Sequence, residues 1–287
     1  MSTIVKSRNE SYLGDITFHP CYHEEAHRKY ARMHLPVAPK CNIQCRFCNR
    51  KFDCFNETRP GVTSRLLRPK EAVTLIEKVI KRLPTLSVVG IAGPGEPLAN
   101  KETFETLKRV NVEYPDLTLC LATNGLLLPK YADEISELGV NFITVTVNAL
   151  DMHVGSRIYS WVQCDDSTLS NQKAFEILTI NQWDGIEKSI ENDMVVKVNS
   201  VLIPGINDDE LPRIAEKAEK AGVFVMNVIP FLPVKGSEFE NRRAPTRMET
   251  LRCREECKRH IRQISHCSRC RADAIGFLGR DITRDFY

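Results

Sequence analysis

A chain of 287 residues, 42% of them hydrophobic, can bury a sizeable core without staples and suits one large α/β domain with extensions better than several small domains. A formal net charge of +3 is too small to argue for nucleic acid, and no apolar run approaches the roughly 20 residues of a membrane span, so a soluble, cytoplasmic, monomeric protein is expected. Its N-terminus, MSTIVKSRNESYLG, has no apolar core for a signal peptide, and eleven cysteines in a reducing compartment then point to metal or cluster ligation, not disulfides.

In chain order, short apolar β-rich runs alternate with helical patterns. A strand at 32–37 precedes a helix at 69–82, where Ala72, Leu75, Ile76, Val79 and Ile80 recur at three- and four-residue spacing. Strand 86–92 is followed by helix 101–114, strand 118–122 by helix 131–138, strand 142–148 by helix 169–192, strand 195–203 by helix 209–221, and strand 223–229 closes the series. These six units predict a parallel sheet curled into a partial (βα)6 TIM-like barrel over residues 32–232. An N-terminal extension (1–31) and a C-terminal one (233–287) are expected over the barrel mouth. Ligands of such sheets bind at the carboxyl ends of the strands, so the loops there should line the site.

The loop after the first strand carries Cys41, Cys45 and Cys48 as C-x3-C-x2-C, in PKCNIQCRFCNRKFDC. Three thiolates can hold three corners of a cubane iron–sulfur cluster and leave one iron open to a chelating molecule that receives an electron. Zinc sites more often present cysteines in two pairs, and a disulfide would need an oxidising compartment. After the second strand, Gly93-Pro94-Gly95-Glu96-Pro97-Leu98 combines glycines that allow close backbone approach with a carboxylate acceptor, although a simple turn would also use Gly and Pro. Beyond the triplet, Cys164 reads as a small buried hydrophobe. Cys21, Cys54, Cys120 and the knuckle Cys267-Ser268-Arg269-Cys270, counted with His34, provide six soft or imidazole ligands, enough for two further clusters with about three each. Cys253 and Cys257 lie four apart on an expected helix, and with Cys267 and Cys270 they would make an alternative zinc site.

The triplet, with Phe47 directly before its third cysteine, resembles the signature of the radical S-adenosylmethionine (SAM) family. That resemblance implies a [4Fe-4S] cluster whose open iron chelates SAM, and reductive cleavage of SAM to a 5′-deoxyadenosyl radical. It implies Phe47 beside the adenine, and Gly93, Gly95 and Glu96 holding the SAM amino group, with Pro94 where the family has a second glycine. Thr123 and Asn124 match its T-N-G turn, and SVLIPGIND, with Ser200 and Ile203, its ribose and adenine segment.

Longer runs resemble the NifB family of nitrogenase cofactor biosynthesis proteins. They are HPCYHEEAHRKYARMHLPVAPKCNIQCRFCNRKFDCFNETRPGVTS, GPGEPLAN, LATNGLLLP, TVTVNALD with Asn148, KVNSVLIPGIND and CSRCRADAIG, and they suggest the short, stand-alone form. The resemblance implies a carbide synthase. Two [4Fe-4S] substrate clusters would be fused with a SAM-derived carbon and an extra sulfur into an 8Fe-9S-C precursor, one SAM donating a methyl group and a second abstracting hydrogen from it. Because imidazole is more labile than thiolate on iron, His34 is expected to ligate one substrate cluster with Cys21 and Cys120, and Cys54, Cys267 and Cys270 the other. His19, His23 and His27 are rival imidazoles. Glu57 and Arg59 in the NETRPG loop are expected to serve acid–base steps. An iron–sulfur cluster donor and nitrogenase cofactor maturation proteins are the implied partners. A radical SAM enzyme with auxiliary clusters acting on an organic or peptide substrate, and a non-catalytic iron–sulfur carrier, remain as alternatives.

Overall fold

The computed structural model describes residues 16–56, 61–164 and 167–287. Its strands are β1 (Ala31–His34), β2 (Ile43–Cys45), β3 (Leu86–Ile91), β4 (Thr118–Thr123), β5 (Val140–Thr146), β6 (Tyr159–Cys164), β7 (Ser167–Ser170), β8 (Val195–Leu202), β9 (Val225–Pro230), β10 (Ile275–Phe277) and β11 (Arg280–Asp281). Its principal helices are α1 (Pro69–Arg82), α2 (Lys101–Glu113), α3 (Leu128–Glu137), α4 (Met152–Ile158), α5 (Asn171–Glu191), α6 (Glu210–Lys220) and α7 (Arg247–Lys258). Each of the six predicted strands appears, in the order β1-β3-β4-β5-β8-β9, every neighbouring pair parallel. This is the partial TIM-like barrel the alternation implied. Among the described residues no helix is long and apolar enough to cross a membrane.

Local chemistry accounts for the boundaries. Helix α1 starts at Pro69, whose missing N–H is not needed there, and the Glu71 carboxylate accepts from the Arg68 backbone N–H at 2.8 Å. The predicted helix 169–192 begins later, at Asn171, because residues up to Ser170 pair in β7 against β6. With β2, these two strands form a small separate sheet, Ile43 facing Val162, which the 3.6-residue pattern does not reveal.

The barrel strands have two unlike faces. Met33, Val89, Leu121, Ile143, Val198 and Met226 alternate along them on the helix side and join one apolar core. Inward stand small or polar residues, Gly90, Ala122, Thr144, Lys197, Asn199 and Asn227. Barrel interiors are ordinarily filled by bulky branched side chains. This one is left open.

Both extensions bring cysteines to the barrel interior. At the amino ends of the strands, Phe142, Val195 and Val225 form an apolar layer, and Ile16 and Tyr22 cover it, the Tyr22 hydroxyl donating to the Ile143 carbonyl at 3.1 Å. Strands β1 and β9 are not paired with each other, and the C-terminal segment spans that gap. On one side the Met226 N–H donates to the Arg262 carbonyl and the Ile264 N–H to the Met226 carbonyl, each at 3.0 Å. On the other, β10 runs antiparallel to β1, with Arg32 opposite Gly276.

Candidate functional site

Cys41, Cys45 and Cys48 line one cavity at the carboxyl ends of the strands, together with Arg50, Cys54, Asn56, Gly95, Glu96 and Asn124. The backbone braces this loop. The Gly95 N–H donates to the Ala38 carbonyl at 2.6 Å and the Glu96 N–H to the Lys40 carbonyl at 2.7 Å. A Cβ on Gly95 would lie 2.2 Å from the Lys40 oxygen, so only glycine lets the two segments approach this closely. The Gln44 side chain donates to the Cys45 and Cys48 carbonyls at 2.9 and 3.0 Å. A hydrogen bond between the thiols of Cys45 and Cys48 pushes Cys45 well up and Cys48 down, burial adding to the rise. Burial also raises Cys41, which Arg50 opposes. The Asn56 amide points at the Cys45 sulfur from 3.6 Å. Three soft donors converging at one partly shielded wall fit a cubane cluster with one open iron.

Burial pushes the Glu96 carboxyl up to about 7. Three donors already occupy it, the N–H groups of Leu98 (3.0 Å) and Asn124 (2.7 Å) and the Thr123 hydroxyl (2.6 Å). Its side chain therefore ties two strand-end loops together, leaving the backbone around it to meet a ligand.

A second cavity lies inside the barrel, with about 730 Å³ of atom-free space against about 370 Å³ at the triplet, solvent-open volume included in both. Cys21, His34, Cys120, Cys267 and Cys270 all line it, brought from the N-terminal segment, β1, β4 and the gap-closing segment. The His34 Nδ1 donates to the Arg271 carbonyl at 2.9 Å, which fixes the tautomer and leaves Nε2 with its lone pair, the usual arrangement of a metal-ligating imidazole. Burial, with Arg32 nearby, pushes His34 down to about 4, so the ring is neutral at physiological pH. Gly90 makes room for it; a Cβ there would stand 3.2 Å from the ring. Burial raises the Cys21 thiol to about 11.

The cavity is cationic. Lys197 and Arg269 line it, and the buried Arg32 donates to the Cys270 sulfur from Nε (3.3 Å) and Nη2 (3.0 Å). No carboxylate lines it among the described residues. The Arg269 Nε and Nη2 are buried without a hydrogen-bond partner, an arrangement costly unless an anionic acceptor fills the space. Soft thiolates, a neutral imidazole and unsatisfied guanidinium donors fit sulfide-rich clusters.

The expected residues divide as follows. Gly95, Glu96 and Asn124 join the triplet's cavity, as does Cys54, which was expected beside Cys267 and Cys270. Phe47 and Ile203 meet in one apolar cluster, Phe47 fully buried and edge-on to Phe55 at 5.5 Å. Asn148 and Ser200 are buried behind the cavity wall: the Asn148 amide donates to the Asn56 side chain at 3.2 Å and its carbonyl oxygen accepts from Val201 N–H at 2.8 Å. Gly93, in the loop after β3, and Thr123, the last residue of β4, line neither cavity. Glu57 and Arg59 lie outside the described residues. Of the rival imidazoles, His19 is buried against Tyr22 and Phe142, and His27 stacks on His266 at 4.9 Å. Cys253 and Cys257 belong to the helix-side core, and their mutual hydrogen bond pushes Cys257 up. The zinc site they would have made with Cys267 and Cys270 is not assembled, since those two face the interior cavity. Arg32, Lys197, Arg269 and His266 are the contributors that cysteine spacing does not announce. For Lys197 and Asn199 a signal exists, two polar residues spaced by two in the apolar run VVKVNSVL.

The family model "Radical SAM superfamily" matches residues 35–218. The FeMo cofactor biosynthesis protein NifB of Klebsiella pneumoniae is 47% identical over 273 residues, covering 93% of this chain and 58% of that protein. The protein of the same description from Methanocaldococcus jannaschii is 44% identical over 286 residues, covering 98% of this chain and 94% of its own length. This chain thus spans little more than half of the first relative and nearly all of the second. Among solved structures, Streptococcus suis SuiB superposes with a TM-score of 0.57 at 13% identity, over 83% of this chain and 50% of that one, a likeness of fold alone. With the cysteine triplet at the strand ends and these identities along nearly its whole length, the chain belongs to the radical SAM superfamily and, within it, to the family of FeMo cofactor biosynthesis proteins NifB.

Proposed function

We propose that this protein is a radical SAM enzyme that fuses two [4Fe-4S] substrate clusters, with a SAM-derived carbon and an extra sulfur, into the 8Fe-9S-C precursor of the nitrogenase cofactor. One observation carries the reading: four cysteines and a neutral histidine, backed by three cations, line an interior cavity adjoining the triplet's. When bound, the triplet's cluster and SAM supply methyl transfer and one-electron cleavage chemistry.

The chain's own residues hold, orient and screen. Cys41, Cys45 and Cys48 hold the resident cluster, and the backbone of Gly93 to Glu96, braced against Ala38 and Lys40, meets the SAM amino group. Cys21, His34 and Cys120 hold one substrate cluster, His34 through Nε2. Cys54, Cys267 and Cys270 hold the other, a partition supported by Arg269, which lies 4.9 Å over the ring of Phe55, the neighbour of Cys54. Arg32 orients the Cys270 sulfur through its two hydrogen bonds, and Lys197 and Arg269 offset the negative charge of the sulfides. Glu57 and Arg59 are retained as acid–base candidates. An iron–sulfur donor and an acceptor among the nitrogenase cofactor maturation proteins complete the cycle.

The test is anaerobic purification, followed by iron analysis and incubation with SAM and dithionite. About 12 irons per chain and formation of both S-adenosylhomocysteine and 5′-deoxyadenosine without organic substrate are expected. Saturation at about four irons would reject the substrate clusters and favour an organic substrate.

A further inference from the structure

The interior face of β4 joins the two cavities. Cys120 lines the barrel interior, Asn124 lines the triplet's cavity, and Ala122 between them lines both. Among the described residues no other is shared. Residues two apart on a strand stand on one face about 7 Å from each other, so Cys120 and Ala122 form an inward pair, and Asn124 follows just past the end of the strand. Ala122 is 6% exposed, and its partner across the sheet, Thr144, is itself an interior-cavity residue. Ala92 is another small lining residue of the interior. The one side chain that faces both cavities among the described residues is thus a single methyl group.

We propose that Ala122 is the specificity-determining residue of the passage through which the 5′ carbon of SAM reaches the substrate in the interior cavity; this rests on the function proposed above. What crosses is one hydrogen atom. A C–H bond of the substrate-borne carbon breaks, a C–H bond at the 5′ carbon of the deoxyadenosyl fragment forms, and the unpaired electron passes to the carbon left behind. The 5′ radical arises when one electron from the external reductant breaks the bond between the 5′ carbon and the SAM sulfur and methionine leaves. The reacting carbons must come within van der Waals contact, and a branched side chain at position 122 would project into the gap they close.

The test uses the anaerobically purified, iron-loaded protein with SAM and dithionite, comparing wild type with Ala122→Val and Ala122→Leu. Three quantities are read: iron per chain, 5′-deoxyadenosine, and cofactor precursor. Iron should match wild type, while precursor formed per 5′-deoxyadenosine should fall in Ala122→Val and by about tenfold or more in Ala122→Leu, as expected when reacting groups are held an ångström too far apart. A wild-type ratio in an iron-replete Ala122→Leu protein overturns the proposal. So does a parallel fall of 5′-deoxyadenosine and precursor at constant ratio, because position 122 would then shape only the SAM site. Loss of iron from both variants would make its role structural and also overturn it. If wild type itself cleaves SAM and forms no precursor, the proposed function falls and takes this inference with it; if only the variant ratio stays unchanged, the inference alone falls.

Discussion

The triplet's cavity and the interior cavity hold cysteines in opposite ways. The first is local: three sulfurs within eight residues, on a loop fastened by its own backbone and by Glu96 to two neighbouring strand ends. The second is assembled from positions 21, 34, 120, 267 and 270, and it exists only when the N-terminal segment, two strands and the gap-closing segment are all in place. Their electrostatics differ as well. The triplet's cavity balances Arg50 against Glu96, whereas the interior has cations and no carboxylate among the described residues. The two sites thus set a braced, charge-balanced cradle beside a cationic, thiol-lined chamber.

Substitutions on either side should separate the two. Cys45→Ala should abolish SAM cleavage and remove about four irons per chain while interior iron persists; His34→Ala should do the reverse, lowering interior iron and leaving SAM-dependent 5′-deoxyadenosine formation measurable. Loss of all iron in both variants would break the distinction. Gly95→Ala comes next, because its Cβ would meet the Lys40 backbone at 2.2 Å. A clash with backbone should cost about 3 kcal/mol, and denaturant unfolding would measure it; a cost under about 1 kcal/mol would show that the loop yields easily.

Arg32→Gln should lose interior iron severalfold, since each hydrogen bond from a cation to a buried sulfur is worth about 1.5–3 kcal/mol, and Arg32→Lys should recover part of it by restoring the charge. Equal iron in both variants and wild type would remove Arg32 from the site. The smallest effect concerns Glu96. Its folded pKa, raised by burial to about 7, lies above the unfolded value, so its contribution is complete at low pH and is lost as pH rises through about 7. Relative to Glu96→Gln, wild type should lose roughly 1 kcal/mol of stability between pH 6 and 8 in anaerobic urea unfolding. A pH-independent difference would mean that the carboxyl does not titrate there.

The same contrast governs what could be read from the sequence. Six parallel strands and their helices were legible because alternation and 3.6-residue periodicity are local properties, and so was the triplet, whose ligands are adjacent in sequence. The β2-β6-β7 sheet was not, because Ile43 and Val162 pair across more than a hundred residues with no short-range signal. Cys253 and Cys257 looked like half a zinc site because helical spacing puts them on one face, but spacing does not say that this face packs into the core. Arg32 escaped notice for a related reason: an arginine in a short strand gives no hint of a sulfur at position 270, nor of the Gly276 carbonyl that its Nη1 donates to at 2.6 Å.

The segment that bridges β9 and β1 carries Cys267 and Cys270 as it crosses. During synthesis Cys21 leaves the ribosome long before position 270, so a nascent chain can present single thiols but not the chamber. The triplet, by contrast, is whole once residue 48 has emerged. The interior chamber is therefore a late product of the chain's topology, complete only once the barrel's open side has been closed, whereas the triplet's three sulfurs are neighbours from the start.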